Sequence, residues 1–156
     1  MSASVDRRCF AAMLLAVIAS GMALMMSSTI AEGAEQVPGI EGYILGRFKD
    51  RFGFERIYVK LRPGVGDAEL IALAKAWHAW EPRGWFWFLD DDEKAEQLLK
   101  TQPEAERGNI TNYPAAWIAA HSLGHVQMEL TPSGRRWVLM PKAERAGEPL
   151  VILDRE

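Results

Sequence analysis

The sequence predicts an α+β fold, in which a strand–helix–strand crossover is followed by a short helix and an antiparallel β-meander, with the helices on one face of a single sheet. Three stretches carry that reading. Ile57, Val59 and Leu61 alternate with Tyr58 and Lys60 as a half-buried strand does. Leu70, Ala74, Trp77 and His78 recur at helical spacing, with Ile71 and Leu73 widening the apolar stripe. Val126, Met128 and Leu130 then alternate with His125, Gln127 and Glu129.

The elements follow in order. Pro63-Gly64-Val65-Gly66 ends the first strand, and Asp67 offers a carboxylate to cap a helix that runs to about Trp80, with Glu69 complementing the dipole of its first turn. Pro82 and Gly84 stop that helix. Trp85-Phe86-Trp87-Phe88-Leu89 is apolar at every position and so fits a central strand covered on both sides. Strand, helix and strand within so short a stretch make a crossover with parallel strands. Asp90-Asp91-Asp92 then caps a short helix from Asp92 to Lys100 that Pro103 terminates, and Ala116 to His121 reads as strand-like. Thr131-Pro132-Ser133-Gly134 is a turn that returns the chain as Arg136 to Met140, and Leu150 to Leu153 closes the pattern as a last strand.

Ahead of these elements, Arg7-Arg8 precede an apolar run from Cys9 to Met26 and then small or polar residues through Ala34, the order of a secretory signal peptide. Cleavage is expected after Ala31, with Ala34 as the other small-residue site, which assigns residues 1–31 to the leader and the protein to the periplasm or the exterior. The rival reading is a retained anchor, since about 18 apolar residues approach the span of a bilayer. Ser20-Gly21 and Ser27-Ser28-Thr29 weaken it, so membrane contact is expected only if the leader is kept. Residues 32–42, with Glu, Gly and Pro38, read as a flexible leader into one globular domain over 43–156.

Loss of the leader removes Cys9, the single cysteine, so stability has to come from packing rather than from disulfides. It also shifts the formal net charge from −3 to −4. A mildly acidic chain gives no electrostatic reason to expect nucleic acid. The basic and aromatic residues between Arg47 and Arg56 are interrupted by Asp50 and Glu55, the pattern of solvated charges flanking buried aromatics.

Chemistry-bearing motifs are scarce. His121 and His125 stand four apart and would chelate one metal ion on a helix, but Gly124 and the flanking strand patterns favour a turn, and no Glu occupies the place a helical zinc-hydrolase motif needs. His78 is the only other histidine, so Glu129 or Asp90 would have to complete a site. The Asp90 to Glu93 run lacks the spaced ligands and central glycine of a calcium loop. Ser122 and Ser133 have no nucleophile-elbow context, and Gly64-Val65-Gly66-Asp67 lacks the third glycine and the lysine of phosphate loops. No cofactor is expected.

Six tryptophans are the remaining signal. Trp85 and Trp87 share one face of their strand while Phe86 and Phe88 share the other, so an open face would be an aromatic platform for sugar rings or for a partner's apolar anchor. Trp85, Trp87, Trp117 and Trp137 are the expected ligand-binding residues.

The layout carried by Ile57 to Leu61, Asp67-Ala68-Glu69-Leu70, Trp85 to Leu89, Ala116-Trp117-Ile118-Ala119 and Val126 to Leu130 resembles small exported bacterial domains of unknown function. The resemblance implies an α+β fold and no active site. The expected function is a non-enzymatic exported binding module that contacts a protein or a cell-envelope glycan. The alternative is a small metal-binding protein or hydrolase using His121, His125 and the Asp90 to Asp92 cluster.

Overall fold

A computed structural model describes residues 35–142 and 147–155. The leader, its cleavage points and the anchor reading fall on residues 1–34, outside the described residues. Among the described residues no helix is long and apolar enough to cross a membrane.

The elements are β1 (Tyr43–Lys49), β2 (Glu55–Lys60), α1 (Asp67–Trp80), β3 (Trp85–Leu89), α2 (Ala95–Glu106), α3 (Ala115–His121), β4 (Ser122–Thr131), β5 (Gly134–Pro141) and β6 (Val151–Arg155). They form an α+β arrangement around one mixed sheet whose strands lie side by side in sequence order. Only β2 and β3 run parallel, with Ile57 opposite Phe86 and Val59 opposite Phe88, because α1 carries the chain back to the starting edge. Every other neighbouring pair is antiparallel.

The apolar run of β3 dictates how the layers assemble. Ile57, Val59, Phe86, Phe88, Val126 and Leu139 point to one side, where Leu70, Ala74 and Trp77 of α1 cover them. Tyr58, Trp87 and Leu89 point to the other, where Leu98 of α2 and Trp117 of α3 cover them. The expected arrangement of all helices on one face is therefore corrected: α1 occupies one face, and α2 with α3 the other. A strand that is apolar on both sides would otherwise expose bulky rings to water, and each fully buried side chain of this size contributes about 1.5–3 kcal/mol.

Local departures from the sequence expectations have local causes. Ala116 to His121 is helix α3 rather than strand. Pro114 occupies its N-cap and its carbonyl accepts the Ile118 amide at 3.0 Å, while Ala115, Ala116, Ala119 and Ala120 are strong helix formers. Helix α2 begins at Ala95 after Lys94 and continues to Glu106 with Pro103 in its last turns, where the missing amide removes one hydrogen bond from a helix about to end. Gly66, not Asp67, holds the N-cap of α1.

Residues 35–42 pack rather than dangle. Val37 is buried in the main cluster, the Glu35 amide and carbonyl pair with Ile44, and the Trp77 indole donates to the Glu41 carbonyl at 3.2 Å. The segment that follows, Tyr43–Lys49, is a strand that charge and aromatic interleaving conceal in the sequence; Phe48 is half-buried under α2 and α3, whereas Phe52 and Phe54 beyond it are exposed.

Gly124 tests this packing. It lies in β4 beneath α1, where an added Cβ would stand 2.6 Å from the Met140 carbonyl oxygen and 3.2 Å from Leu70. Gly124→Ala is expected to cost about 1–3 kcal/mol, because strand β5 or helix α1 must move. Gly66→Ser, at an open extended position, should leave Tm unchanged or slightly higher. Thermal unfolding of both variants checks the pair, and an unaltered Tm for Gly124→Ala would contradict the close packing.

Candidate functional site

The end of β3 delivers three consecutive carboxylates to the side covered by α3. Helix α3 takes the first two, and β1 with β2 takes the third. Asp90 Oδ1 accepts from His121 Nδ1 at 2.8 Å, and the Asp90 amide donates to the His121 carbonyl at 3.0 Å, so the C-terminus of α3 is tied twice to the end of β3. Asp91 Oδ1 accepts from the Trp117 indole at 3.0 Å and from the Glu93 amide at 2.7 Å, and these bonds hold its carboxyl below the usual range. Asp92 accepts from the Tyr43 hydroxyl at 2.6 Å and pairs with Lys60 at 3.4 Å. The Tyr43 bond leads in lowering the Asp92 carboxyl, while burial and that same bond push the Tyr43 phenol up to about 12. The triplet thus latches β1, β2 and α3 to β3 instead of capping α2.

A second polar node supports the same layer. The Tyr58 and Tyr113 hydroxyls both donate to Gln102 Oε1 at 3.0 Å, joining β2, α2 and the loop before α3. Gln102 is buried, and burial raises both phenols.

Between these nodes, α3 roofs a cavity of about 300 Å³ lined by Trp87, Tyr113, Ala115, Ile118, Ala119, Ser122 and His125. Trp87 and His125 are paired across β3 and β4, and their rings stack with centroids 4.7 Å apart and planes 12° from parallel. His125 Nε2 lies 3.2 Å from the Gln127 side-chain amide, within hydrogen-bonding reach. Burial lowers the affinity of the His125 ring for a second proton. The wall is a stacked pair in a hollow that is apolar apart from His125, Tyr113 and Ser122.

The structure separates the residues singled out from the sequence. Trp87 lines the cavity, whereas Trp117 is the buried residue of α3 and is bonded to Asp91. Trp137 is buried on the opposite face, its ring 5.3 Å from His78. Trp85 is half-buried at the start of β3, its ring 5.6 Å from Phe54 and 5.7 Å from the Arg56 guanidinium carbon. These four do not form one aromatic platform. The two histidines diverge as well: His121 ends α3 and engages Asp90, while His125 lies in β4 against Trp87. Among the described residues no three His, Cys, Asp or Glu side chains are grouped to hold a metal ion.

Sequence reasoning missed Tyr113, Ile118 and Ala119. The signal for the last two was present in Pro114 followed by an alanine-rich run, which a helical reading places on one side of α3. No protein-family model, curated protein or solved structure matches the chain.

Buried His78 and partly buried His125 set a pH dependence. Burial lowers His78 and His125 below the ordinary value of 6.5, opposed at His78 by Asp154 and at His125 by the Gln127 bond. Neither ring nitrogen of His78 has a hydrogen-bond partner among the described residues. The unfolded chain therefore binds protons first as pH falls through the ordinary histidine range, so stability is full above that range and declines below it, by up to about 1.4 kcal/mol per pH unit for each histidine. Denaturant titrations from about pH 7.5 to 5.5 should show this decline in the wild type and a shallower one in His78→Leu. Identical slopes would contradict the neutral, buried state of His78.

Proposed function

We propose that this chain is a non-enzymatic binding module, exported to the periplasm or the cell exterior, that seats an apolar side chain of a protein partner in the cavity beneath α3. The observation that supports this reading is the stacked Trp87–His125 wall of an apolar hollow of about 300 Å³, the lower end of the size range of ligand pockets. A volume of that size readily admits one ring or branched aliphatic side chain. Three polar side chains, Tyr113, Ser122 and His125, line it, and the Tyr113 hydroxyl already donates to Gln102. A sugar, which needs a hydrogen-bond partner for nearly every hydroxyl, is served less well than an apolar anchor.

The hydrolytic alternative draws on the His121–Asp90 pair, a base with its orienting carboxylate. The cavity, however, is lined by His125 and not by His121 or Asp90. Asp90, Asp91 and Asp92 each hold a neighbouring element, so binding is the better-supported reading.

Indole, the smallest probe carrying a tryptophan ring, tests the cavity. Titrated into the isotope-labelled full chain, it is expected to bind at about millimolar strength and to shift the Trp87 indole and His125 resonances. Ala119→Trp fills the exposed mouth from the roof and should suppress those shifts without loss of Tm. Unmoved resonances, or equal shifts in Ala119→Trp, would defeat the proposal.

A further inference from the structure

The opposite end of the sheet carries a second surface with different chemistry. Its centre is the turn between β1 and β2, which the buried carboxylate of Asp50 holds rigid. Asp50 Oδ1 accepts from the Phe52 amide at 2.9 Å and the Phe54 amide at 3.0 Å, its other oxygen lies 3.6 Å from the Arg56 guanidinium, and the Gly53 amide donates to the Asp50 carbonyl at 2.9 Å with Gly53 at φ +85°. So fixed, the turn presents Phe52 to solvent at 72% exposure, with Arg51 stacked 4.7 Å over its ring. A hydrophobic ring held outward by a buried carboxylate is preorganised for contact, because little ordering remains to be done on binding.

Concavities flank the turn. On the α2 side a hollow of about 380 Å³ is lipped by Phe52 and by Ile110, itself 68% exposed, and floored by Gln102 and Tyr113. On the α1 side a hollow of about 400 Å³ is lined by Phe54, Met128 and Trp137 together with Arg83 and Arg135. Glu55 and Glu81 also line it, but Glu55 pairs with Arg47 at 3.5 Å and Glu81 accepts from the Arg83 amide at 3.4 Å. Among the described residues, no carboxylate pairs with the guanidinium groups of Arg51, Arg83 or Arg135. In a chain of net charge −3 this end gathers three arginines without carboxylate partners among the described residues around exposed apolar side chains.

We propose that the rim of the β1–β2 turn is a docking surface for an acidic protein segment bearing an apolar anchor, which sits between Phe52 and Ile110 while its carboxylates meet Arg51, Arg83 and Arg135. The exposed apolar lips select a peptide over a second copy of this acidic chain or a nucleic acid. The former would bring like net charge together, and the latter would run its continuous phosphate backbone past the carboxylates of Glu55, Glu81 and Glu106, whereas a short segment can place its few carboxylates at Arg51, Arg83 and Arg135 alone.

A fluorescein-labelled peptide of alternating Glu and Phe is the probe, and one of alternating Lys and Phe is its control. With the full-length chain, fluorescence anisotropy should show the acidic peptide binding at least about ten-fold more tightly than the basic one, and more weakly as salt rises through the range that screens exposed charges. Phe52→Ser and the double variant Arg83→Glu, Arg135→Glu alter exposed residues and should each weaken the acidic peptide by about ten-fold with Tm retained. Lys94→Glu, a single charge reversal elsewhere on the exposed surface, should leave it unaffected. Equal binding of the two peptides, equal weakening by Lys94→Glu, tighter binding of a single-stranded oligonucleotide, or concentration-dependent dimerisation that occludes the turn would each overturn the proposal.

Discussion

The burial of β3 on both faces is the constraint from which the rest of the architecture follows. Five consecutive apolar residues cannot turn either side to water, so the chain must supply a helix to each face. Helix α1, inserted between the parallel strands β2 and β3, covers Phe86 and Phe88. Helices α2 and α3, inserted between β3 and its antiparallel neighbour β4, cover Trp87 and Leu89. The cavity under α3 arises from this second layer: a seven-residue helix roofs the sheet with alanines on its lining, and small side chains opposite a tryptophan leave a hollow.

Electrostatics then decide what the polar residues are used for. Asp90, Asp91 and Asp92 emerge together because β3 ends there, but they are dispersed among His121, Trp117, Tyr43 and Lys60. Bonds to partly buried carboxylates are stronger than neutral ones, and losing one partner leaves a charge poorly solvated. The triplet therefore acts as a latch between layers. At the far end Arg51, Arg83 and Arg135 have no carboxylate partner among the described residues, and this asymmetry gives the two ends of the sheet different binding chemistry.

How much of this was legible in the sequence depends on whether the controlling contact was local. Trp85–Leu89 was readable to the residue and Asp67–Trp80 to within one residue at its cap, since apolar continuity and helical spacing are local patterns. The turn at Thr131 to Gly134 was readable for the same reason. Strand β1 was not, because its pairing with β2 is set by register: Arg47 reaches over Trp80 on one face while Phe48 packs under α2 and α3 on the other. The roles of the aspartates were also hidden, as Tyr43 and Trp117 are distant in the chain. Trp87 and His125 were each named from the sequence, but for separate reasons. Only the antiparallel register of β3 and β4 makes them one stacked pair.

Amide hydrogen exchange of the intact chain tests the dependence on β3 directly. If both layers rest on that strand, the amides of Phe86 to Leu89 exchange only when the whole domain unfolds, with an opening free energy equal to that from denaturant unfolding. Exchange of those amides through a smaller, local opening, while β5 stays protected, would mean that the sheet survives without β3 and would contradict the account.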